Sequence, residues 1–441
     1  MNLHLRWMQS VKLGLVGLFA LTAQTAERDF SPRPGEEQRP QAMHSEMAQK
    51  PSITVGQTEG ELIGHDNRVL QAAVDYIAGL GGGTVRIGPG EYTMHDALHL
   101  RSHVAVIGTP GETTLVKAEA AVSPLALDGD FGEEQVTLQD PEGFSVGAGI
   151  AVWDDEAGGF HTTVARITGR NGHTFSISKP LMADNMVFRN AQAATIYPVI
   201  SGYHIEGARL AHLHIEGNRE NNPHLNGCRG GGIFLYRAFG TVIENCSVNG
   251  YNGDGISFQQ SNDVVVRHCL SENNAELGLH PGSGSQRPRI SNCIARDNGT
   301  DGLFLCWRVR HGEFLENRLE NNGRFGISIG HKDSDNLLKQ NVVRLNHSNG
   351  IFFRNETLGM GPHRNRLVEN LIENNGTDSG TAGIRIRGEV NELVFINNTI
   401  RDTRPPGEQT QTVGFLIEET VGPLTLEGNN IEAGVPLDDR R

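Results

Sequence analysis

Apolar and polar residues alternate along the C-terminal half of the chain in short segments that recur at a nearly fixed interval. The segments VIENCSVNG, VVRHCLSEN, RISNCIARD, EFLENRLEN, LKQNVVRLN, LVENLIENN and VFINNTIRD align with steps of 23, 24, 24, 24, 29 and 28 residues. A second set of segments opens with Gly and an apolar residue, as in GISFQ, GLFLC and GISIG. Alternation with a period of two predicts β-strands. Strands repeating every 24 residues or so, without helices between them, predict a right-handed parallel β-helix whose stacked coils share one core.

Asparagine and cysteine occupy repeated positions in this alignment. The position shared by all segments falls at Cys246, Cys269, Cys293, Asn317, Asn341, Asn370 and Asn398. Asn fits coil corners because it accepts left-handed backbone angles and can bond to its neighbour in the next coil. We expect the stacked cysteines to be small buried side chains, since the total of five is odd, and Cys306 to be the exposed thiol. Asp254 and Asp301 match the corner position of Asn349 and are interpreted as structural.

The region before the repeats predicts a cap and an insertion. The stretch DNRVLQAAVDYIAGLGGG has a helical apolar period with Asp66 as its N-cap, and a helix here would cover the open edge of the first coil. We therefore interpret residues 53–119 as this cap with the first coils and residues 201–435 as the β-helix repeats. Residues 120–200 break the rhythm and predict an inserted antiparallel β subdomain that could wall a cleft beside the coils.

These two regions resemble pectate-lyase-like and polygalacturonase-like β-helix proteins, over about residues 60–115 and 200–435. The resemblance implies the fold, but it implies little about the reaction because one fold hosts many sites. The segments TDG at 300–302 and RIR at 385–387 look like two pieces of the polygalacturonase pattern. The paired Asp and the Gly-His-Gly of that pattern are missing, and the calcium and arginine motifs of pectate lyases are not recognisable. Neither named activity therefore transfers to this chain.

The N-terminus and the net charge restrict where the protein works and what it binds. Two basic residues precede an apolar run that is too short to span a bilayer, which predicts a secretory signal over residues 1–26, followed by a polar linker over 27–52. We expect a secreted or periplasmic monomer without a membrane span. The chain has 38 Lys and Arg against 52 Asp and Glu, a net charge of −14. Such an acidic chain is a poor general binder of nucleic acid.

The second strand of each coil predicts a functional face. In GISIG, Ile327 and Ile329 point inward and Ser328 points outward. The same parity exposes a column formed by Phe234, Ser257, His280, Phe304, Ser328, Phe352 and Arg385. Basic and aromatic residues thus converge on one face of an acidic protein, where rings can stack on sugars and guanidinium groups can bind carboxylates.

These side chains favour elimination, or epimerisation, on an acidic, uronate-containing polysaccharide. The candidate catalytic residues are Lys332, His331 and His280. The candidate substrate-binding residues are Trp307, Arg308, Arg354, Tyr236 and Arg385. Arg308 or Arg354 would neutralise the uronate carboxylate, and a base with a lowered pKa, such as Lys332, would take the proton.

The sequence also allows two other functions and a calcium site. Asp333 or Asp335 facing Glu356 could form the carboxylate pair of a glycoside hydrolase. A column of stacking groups without a matched acid and base would instead indicate a non-catalytic polysaccharide-binding or surface protein. The segment WDDE at 153–156 could bind calcium through its carboxylates, or could form a turn between strands.

Overall fold

The computed structural model describes residues 48–441, which build a stack of parallel β-coils. Three parallel sheets of thirteen, eleven and eleven strands run along the stack, and we call them sheets I, II and III. Neighbouring strands within each sheet pair in parallel, as Ile327 does with Leu303 on one side and Ile351 on the other. The predicted fold class is confirmed. The predicted signal segment 1–26 and nearly all of the predicted linker lie outside the described residues.

The strands of the three sheets are short, and each repeat gives one strand to each sheet. Sheet I contains, in spatial order, Leu62–Ile63, Ser52–Gly56, Gly83–Ile87, Val104–Gly108, Arg209–Ala211, Val242–Glu244, Val265–Arg267, Arg289–Ser291, Glu313–Leu315, Leu337–Lys339, Arg366–Val368, Leu393–Ile396 and Leu424–Glu427. Sheet II contains Gly90–Met94, Thr113–Lys117, His214–Glu216, Ser247–Asn249, Leu270–Glu272, Ile294–Arg296, Arg318–Glu320, Val342–Arg344, Leu371–Glu373, Thr399–Arg401 and Asn430–Glu432. Sheet III contains Leu98–His99, Ile200–Glu206, Ile233–Phe239, Ile256–Gln259, Leu279–Gly282, Leu303–Phe304, Ile327–Ile329, Ile351–Phe353, Ala382–Ile386, Val413–Ile417 and Val435–Asp439.

Alternation along each strand fills the interior with apolar side chains. Ile327 and Ile329 are fully buried in the shared core, as their parity predicts. The cysteines at 246, 269 and 293 are at most 3% exposed and belong to the same core. The predicted column of small buried thiols is therefore confirmed.

Asparagine side chains stack into ladders at the coil corners. Asn298 donates its Nδ2 to Oδ1 of Asn322 over 2.9 Å, and Asn322 donates in the same way to Asn346 over 2.9 Å. The backbone N–H of Cys293 donates to Oδ1 of Asn317 over 3.0 Å, so the cysteine column continues into a second ladder. These ladders satisfy polar groups that the stacked coils bury, and they fix the register of successive coils.

A helix covers the first coils, and a second, smaller sheet stands beside them. The helix spans Asn67–Gly79, and the N-cap Asp66 accepts a bond from the N–H of Arg68 over 2.9 Å. A six-stranded antiparallel sheet, here called the inserted sheet, has its own core and contains Val122–Pro124, Gln192–Ala194, Gly149–Trp153, Thr163–Asn171, Thr174–Ile177 and Gln135–Thr137. Short 3₁₀ turns lie at Gly159–His161, Val187–Arg189, Arg219–Asn221 and Leu358–Met360. Within residues 48–441, no helix has the length and apolar character needed to cross a membrane.

Candidate substrate-binding cleft

Two adjoining cavities form a cleft between the inserted sheet and the outer face of sheet III. Their volumes are about 140 and 310 Å³, and both are lined by Val164, Lys179 and Tyr203. Lys179 follows the strand Thr174–Ile177 of the inserted sheet, whereas Tyr203 lies in the strand Ile200–Glu206 of sheet III. The cleft therefore exists only because the insertion packs beside the coils.

The lining of the cleft carries an excess of positive charge. Its cationic side chains are Arg101, Arg166, Lys179 and Arg229. Asp96 is the one carboxylate among the lining residues, and its Oδ2 accepts a bond from Nε of Arg166 over 2.5 Å. A cationic cleft on a protein with a net charge of −14 concentrates anionic ligands.

Lys179 has an altered basicity in this setting. Its side chain reaches solvent, but its Nζ lies 3.8 Å from the centroid of the Tyr203 ring, inside the walls of the cleft. Desolvation by these walls lowers the pKa of Lys179 to about 8, the Asp96 carboxylate opposes this shift, and the nearby Arg229 and Arg166 add to it. A substantial fraction of this amine is therefore neutral near pH 8.

Aromatic rings continue from the cleft along sheet III. The ring centroid of Tyr203 lies 5.7 Å from that of Phe234 and 6.1 Å from that of Tyr236. Tyr203 and Tyr236 are also backbone partners in neighbouring strands. The predicted binding residue Tyr236 thus lies in the wall of the cleft, where it and Tyr203 are half-buried and can contact sugars, whereas Phe234 is buried behind them.

Four of the predicted site residues lie together farther along the same face of sheet III: Trp307, Arg308, His331 and Lys332. The rings of Trp307 and His331 stack with centroids 4.6 Å apart and planes 8° apart, and the Arg308 guanidinium lies 5.8 Å from the Trp307 ring centroid. Residues 307–308 and 331–332 adopt positive φ angles in consecutive pairs, which fixes the turn that presents Lys332. Burial lowers the pKa of His331, Glu356 opposes that shift and Arg354 adds to it.

His280 is not accessible, contrary to the prediction. It is 3% exposed, and its Nδ1 lies 2.6 Å from Oδ2 of the fully buried Asp254. Segment 225–231 covers it, since the neighbouring Ser257 donates its Oγ to the carbonyl of Gly227 over 2.6 Å. Burial disfavours the imidazolium, but the Asp254 carboxylate outweighs that penalty through its charge and hydrogen bond and raises the pKa of His280 to about 10.

The outward column is therefore correctly oriented but largely covered. Its buried members are Phe234, Ser257, His280 and Ser328, all at most 3% exposed. Cys306, the predicted exposed thiol, is only 5% exposed, whereas Cys228 is half-buried and lines the cleft. Side-chain parity separates the core face of a strand from its outer face, but only the packing of distant loops decides whether the outer face meets solvent.

Two of the predicted arginine ligands form ion pairs inside the protein. Arg354 donates to Oγ of Ser328 over 2.9 Å and to Oδ2 of the buried Asp333 over 3.0 Å. Arg385 donates to Glu418 over 2.6 Å. The Asp333 carboxylate balances the charge of Arg354, so the geometry favours a structural role for Arg354. Arg385 shares the Glu418 carboxylate with Arg387. Substrate binding is left to Lys179 and Arg229 of the cleft.

Asp333 and Asp335, proposed for hydrolysis, and Asp154, proposed for calcium binding, already have partners within the protein. Asp333 accepts bonds from two backbone N–H groups besides Arg354, and burial raises its pKa to about 7 against these bonds. Asp335 pairs with Arg364 over 2.6 Å. In WDDE, the buried Asp154 accepts bonds from three backbone N–H groups and from Nε of Arg189, which leaves its oxygens poorly suited to a cation.

Sequence reasoning missed the cationic half of the cleft. Arg166 and Lys179 belong to the insertion, and Arg229 belongs to the loop that covers His280, so none of them carries the repeat signal. Arg229 donates its Nε to the carbonyl of Phe160 over 2.6 Å, a contact between distant segments of the chain. The sequence indicated this site only through Tyr236 and through the prediction that the insertion could wall a cleft.

Comparisons with known proteins agree with the architecture. A family described as "Right handed beta helix region" matches residues 211–366, and the chain has the right-handed parallel β-helix fold. The A-module of mannuronan C-5 epimerase AlgE6 from Azotobacter vinelandii is similar in structure, with a TM-score of 0.54, 16% identity, and coverage of 84% of this chain and 90% of that chain.

Two further solved structures share this fold. A protein titled "Glycoside hydrolase" has a TM-score of 0.50 and 12% identity, covering 86% of this chain and 96% of its own. The enzymatically active domain of tailspike protein 2 from bacteriophage CBA120 has a TM-score of 0.51 and 10% identity, covering 79% of this chain and 43% of its own. At these identities the likeness concerns the fold alone. No curated protein sequence matches the chain.

Proposed function

We propose that this protein is an exported, monomeric, carbohydrate-active β-helix protein that binds an acidic, uronate-containing polysaccharide in the cleft and acts on it as a lyase or epimerase. The observation that carries the proposal is the position of Lys179, whose Nζ lies 3.8 Å from the Tyr203 ring centroid in a cleft lined by three arginines and one carboxylate. Desolvation there lowers its pKa to about 8. The half-buried rings of Tyr203 and Tyr236 beside it support sugar binding.

The chemistry of a uronate matches these groups. Abstraction of the proton beside a carboxylate becomes easier when a cation neutralises that carboxylate, which is the role we assign to Arg229. Neutral Lys179 is the base that takes the proton. Loss of the neighbouring glycosidic oxygen then completes an elimination, whereas return of a proton from the opposite face completes an epimerisation.

Other reactions and roles find less support in the cleft. Hydrolysis of a glycosidic bond uses two carboxyl groups about 5 to 9.5 Å apart, and Asp96 alone lines these cavities. Pure binding would not need a lysine of lowered pKa. One structure of the same fold is named a mannuronan C-5 epimerase, which is the reason to test epimerisation beside elimination.

The experiment compares Lys179→Met with wild type on a panel of polyuronates in D₂O. A lyase raises the absorbance of unsaturated uronates, and an epimerase incorporates deuterium without that absorbance. We expect Lys179→Met to lose about 10²- to 10⁴-fold in rate, the usual contribution of a general base. The matched control is Lys339→Met, which removes a lysine of sheet I that lies 3.5 Å from Glu369.

The pH profile gives a second test of the same residue. A base must be neutral, so wild-type turnover should rise with pH and level off above about 8, following the pKa of Lys179. If wild type binds polyuronates but catalyses neither reaction, the protein is the non-catalytic polysaccharide-binding protein of the alternative interpretation. If Lys179→Met keeps its turnover, another residue is the catalytic base, and Lys332 is the next residue to replace.

A further inference from the structure

A serine, a histidine and an aspartate form a continuous relay inside the smaller cavity. The Oγ of Ser201 lies 2.8 Å from Nδ1 of His99, and Nε2 of His99 lies 2.9 Å from Oδ2 of Asp96. All three residues line the 140 Å³ cavity. The elimination proposed above uses Lys179 and leaves this relay without a role.

The fold holds the relay in place. Ser201 and His99 are backbone partners in neighbouring strands of sheet III, so their outward side chains meet directly. Asp96 is 2% exposed and is fixed by Arg166. An N–H at Nε2 donates to Asp96, which leaves Nδ1 free to accept the Ser201 hydroxyl proton. The same order of serine, histidine and carboxylate activates the nucleophile of serine hydrolases, although the two ring nitrogens are exchanged here.

We propose that Ser201 is the nucleophile of an esterase that removes a small acyl group, such as acetyl, from a hydroxyl of the polysaccharide. The identification of a polysaccharide as the molecule that bears the acyl group rests on the proposed function, whereas the ester chemistry does not. Ser201 keeps 1% of its surface exposed, so a substrate reaches it only through the cavity, and the small volume selects a short acyl chain. Lys179 lines the same cavity and in its protonated form supplies positive charge for the oxyanion.

The reaction consumes only water. Ser201 Oγ bonds to the ester carbonyl carbon while its proton moves to Nδ1 of His99. The bond from that carbon to the sugar oxygen then breaks, and the sugar oxygen takes the proton from His99. A water molecule attacks the acyl-serine and gives its proton to His99, the bond between the acyl carbon and Oγ breaks, and the proton returns to Ser201. The products are acetic acid and a free sugar hydroxyl.

The first test is covalent labelling of the full-length wild-type protein. A fluorophosphonate reacts with an activated serine as fluoride leaves, and peptide mapping locates the adduct. We expect the adduct on Ser201, together with hydrolysis of p-nitrophenyl acetate. An unlabelled Ser201, or an adduct on another residue, overturns the proposal without requiring any variant to fold.

The second test uses variants of the same cavity. Ser201→Ala and His99→Gln should lower kcat/KM for p-nitrophenyl acetate by at least about a hundredfold, because triad members act as a unit. The control is Ser379→Ala, which replaces an exposed serine that does not line the cavity. Unchanged hydrolysis in a folded Ser201→Ala protein refutes the esterase. That result leaves the reaction of Lys179 with polyuronates standing, because the two assays use different substrates.

Discussion

His280 and Asp254 form a buried polar pair on the outer face of sheet III, and this pair links stability to pH. The pKa of His280 rises from 6.5 to about 10 on folding, so the folded state binds its proton more tightly than the unfolded state does. The stabilisation is complete below pH 6.5 and is lost as the pH rises through about 10. Because the two groups titrate together, the apparent midpoint belongs to the pair.

We therefore expect the contribution of His280 to the free energy of unfolding, measured by denaturant titration as the difference between wild type and a His280 variant, to fall between about pH 6.5 and 10. His280→Asn should remove most of this slope. His347→Asn, which replaces an exposed histidine, should retain it. An equal slope in all three proteins would contradict a protonated His280 in the folded state.

Among the elements, the asparagine ladders join one coil to the next through buried side chains. Asn322 accepts from Asn298 over 2.9 Å and donates to Asn346 over 2.9 Å and to the carbonyl of Ala295 over 3.1 Å. Asn322→Ala should destabilise the protein by about 2–4 kcal/mol, because it leaves buried partners unsatisfied. The control Asn355→Ala removes an exposed asparagine. Equal unfolding midpoints for the two variants would show that the ladder contributes little.

A strand of sheet III tests the shared core in the same way. Ile327 is fully buried between Leu303 and Ile351 of the neighbouring coils. Ile327→Asp should unfold these coils, because it places an unpaired charge in the core. Hydrogen exchange should show lost protection that centres on residues 303–353 and spreads to adjacent coils, as expected for a linear stack. Normal protection there would argue against the inward parity of this strand.

At the scale of the whole molecule, a cationic cleft lies on a strongly acidic protein. Binding of a polyuronate should weaken steeply as salt rises, because screening acts on the attraction between the cleft and the substrate. Arg229→Gln should reduce both the affinity and its salt dependence, and Arg287→Gln, remote in sequence and outside the cleft lining, should change neither. Calorimetry at several salt concentrations measures both quantities. Salt-independent binding would place the ligand away from the cleft cations.

The sequence by itself determined the fold, the inward faces of the strands, the capping helix and the corner ladders, because each follows from local periodicity that successive coils repeat. Tertiary structure alone decided the site. It brought Lys179 of the insertion against Tyr203 and Arg166 against Asp96, placed His99 beside Ser201, and covered His280 with segment 225–231. These contacts join segments that lie far apart in the chain and share no period. A pattern along the sequence can indicate which way a side chain points, but burial, ion pairing and pKa depend on what folds over it.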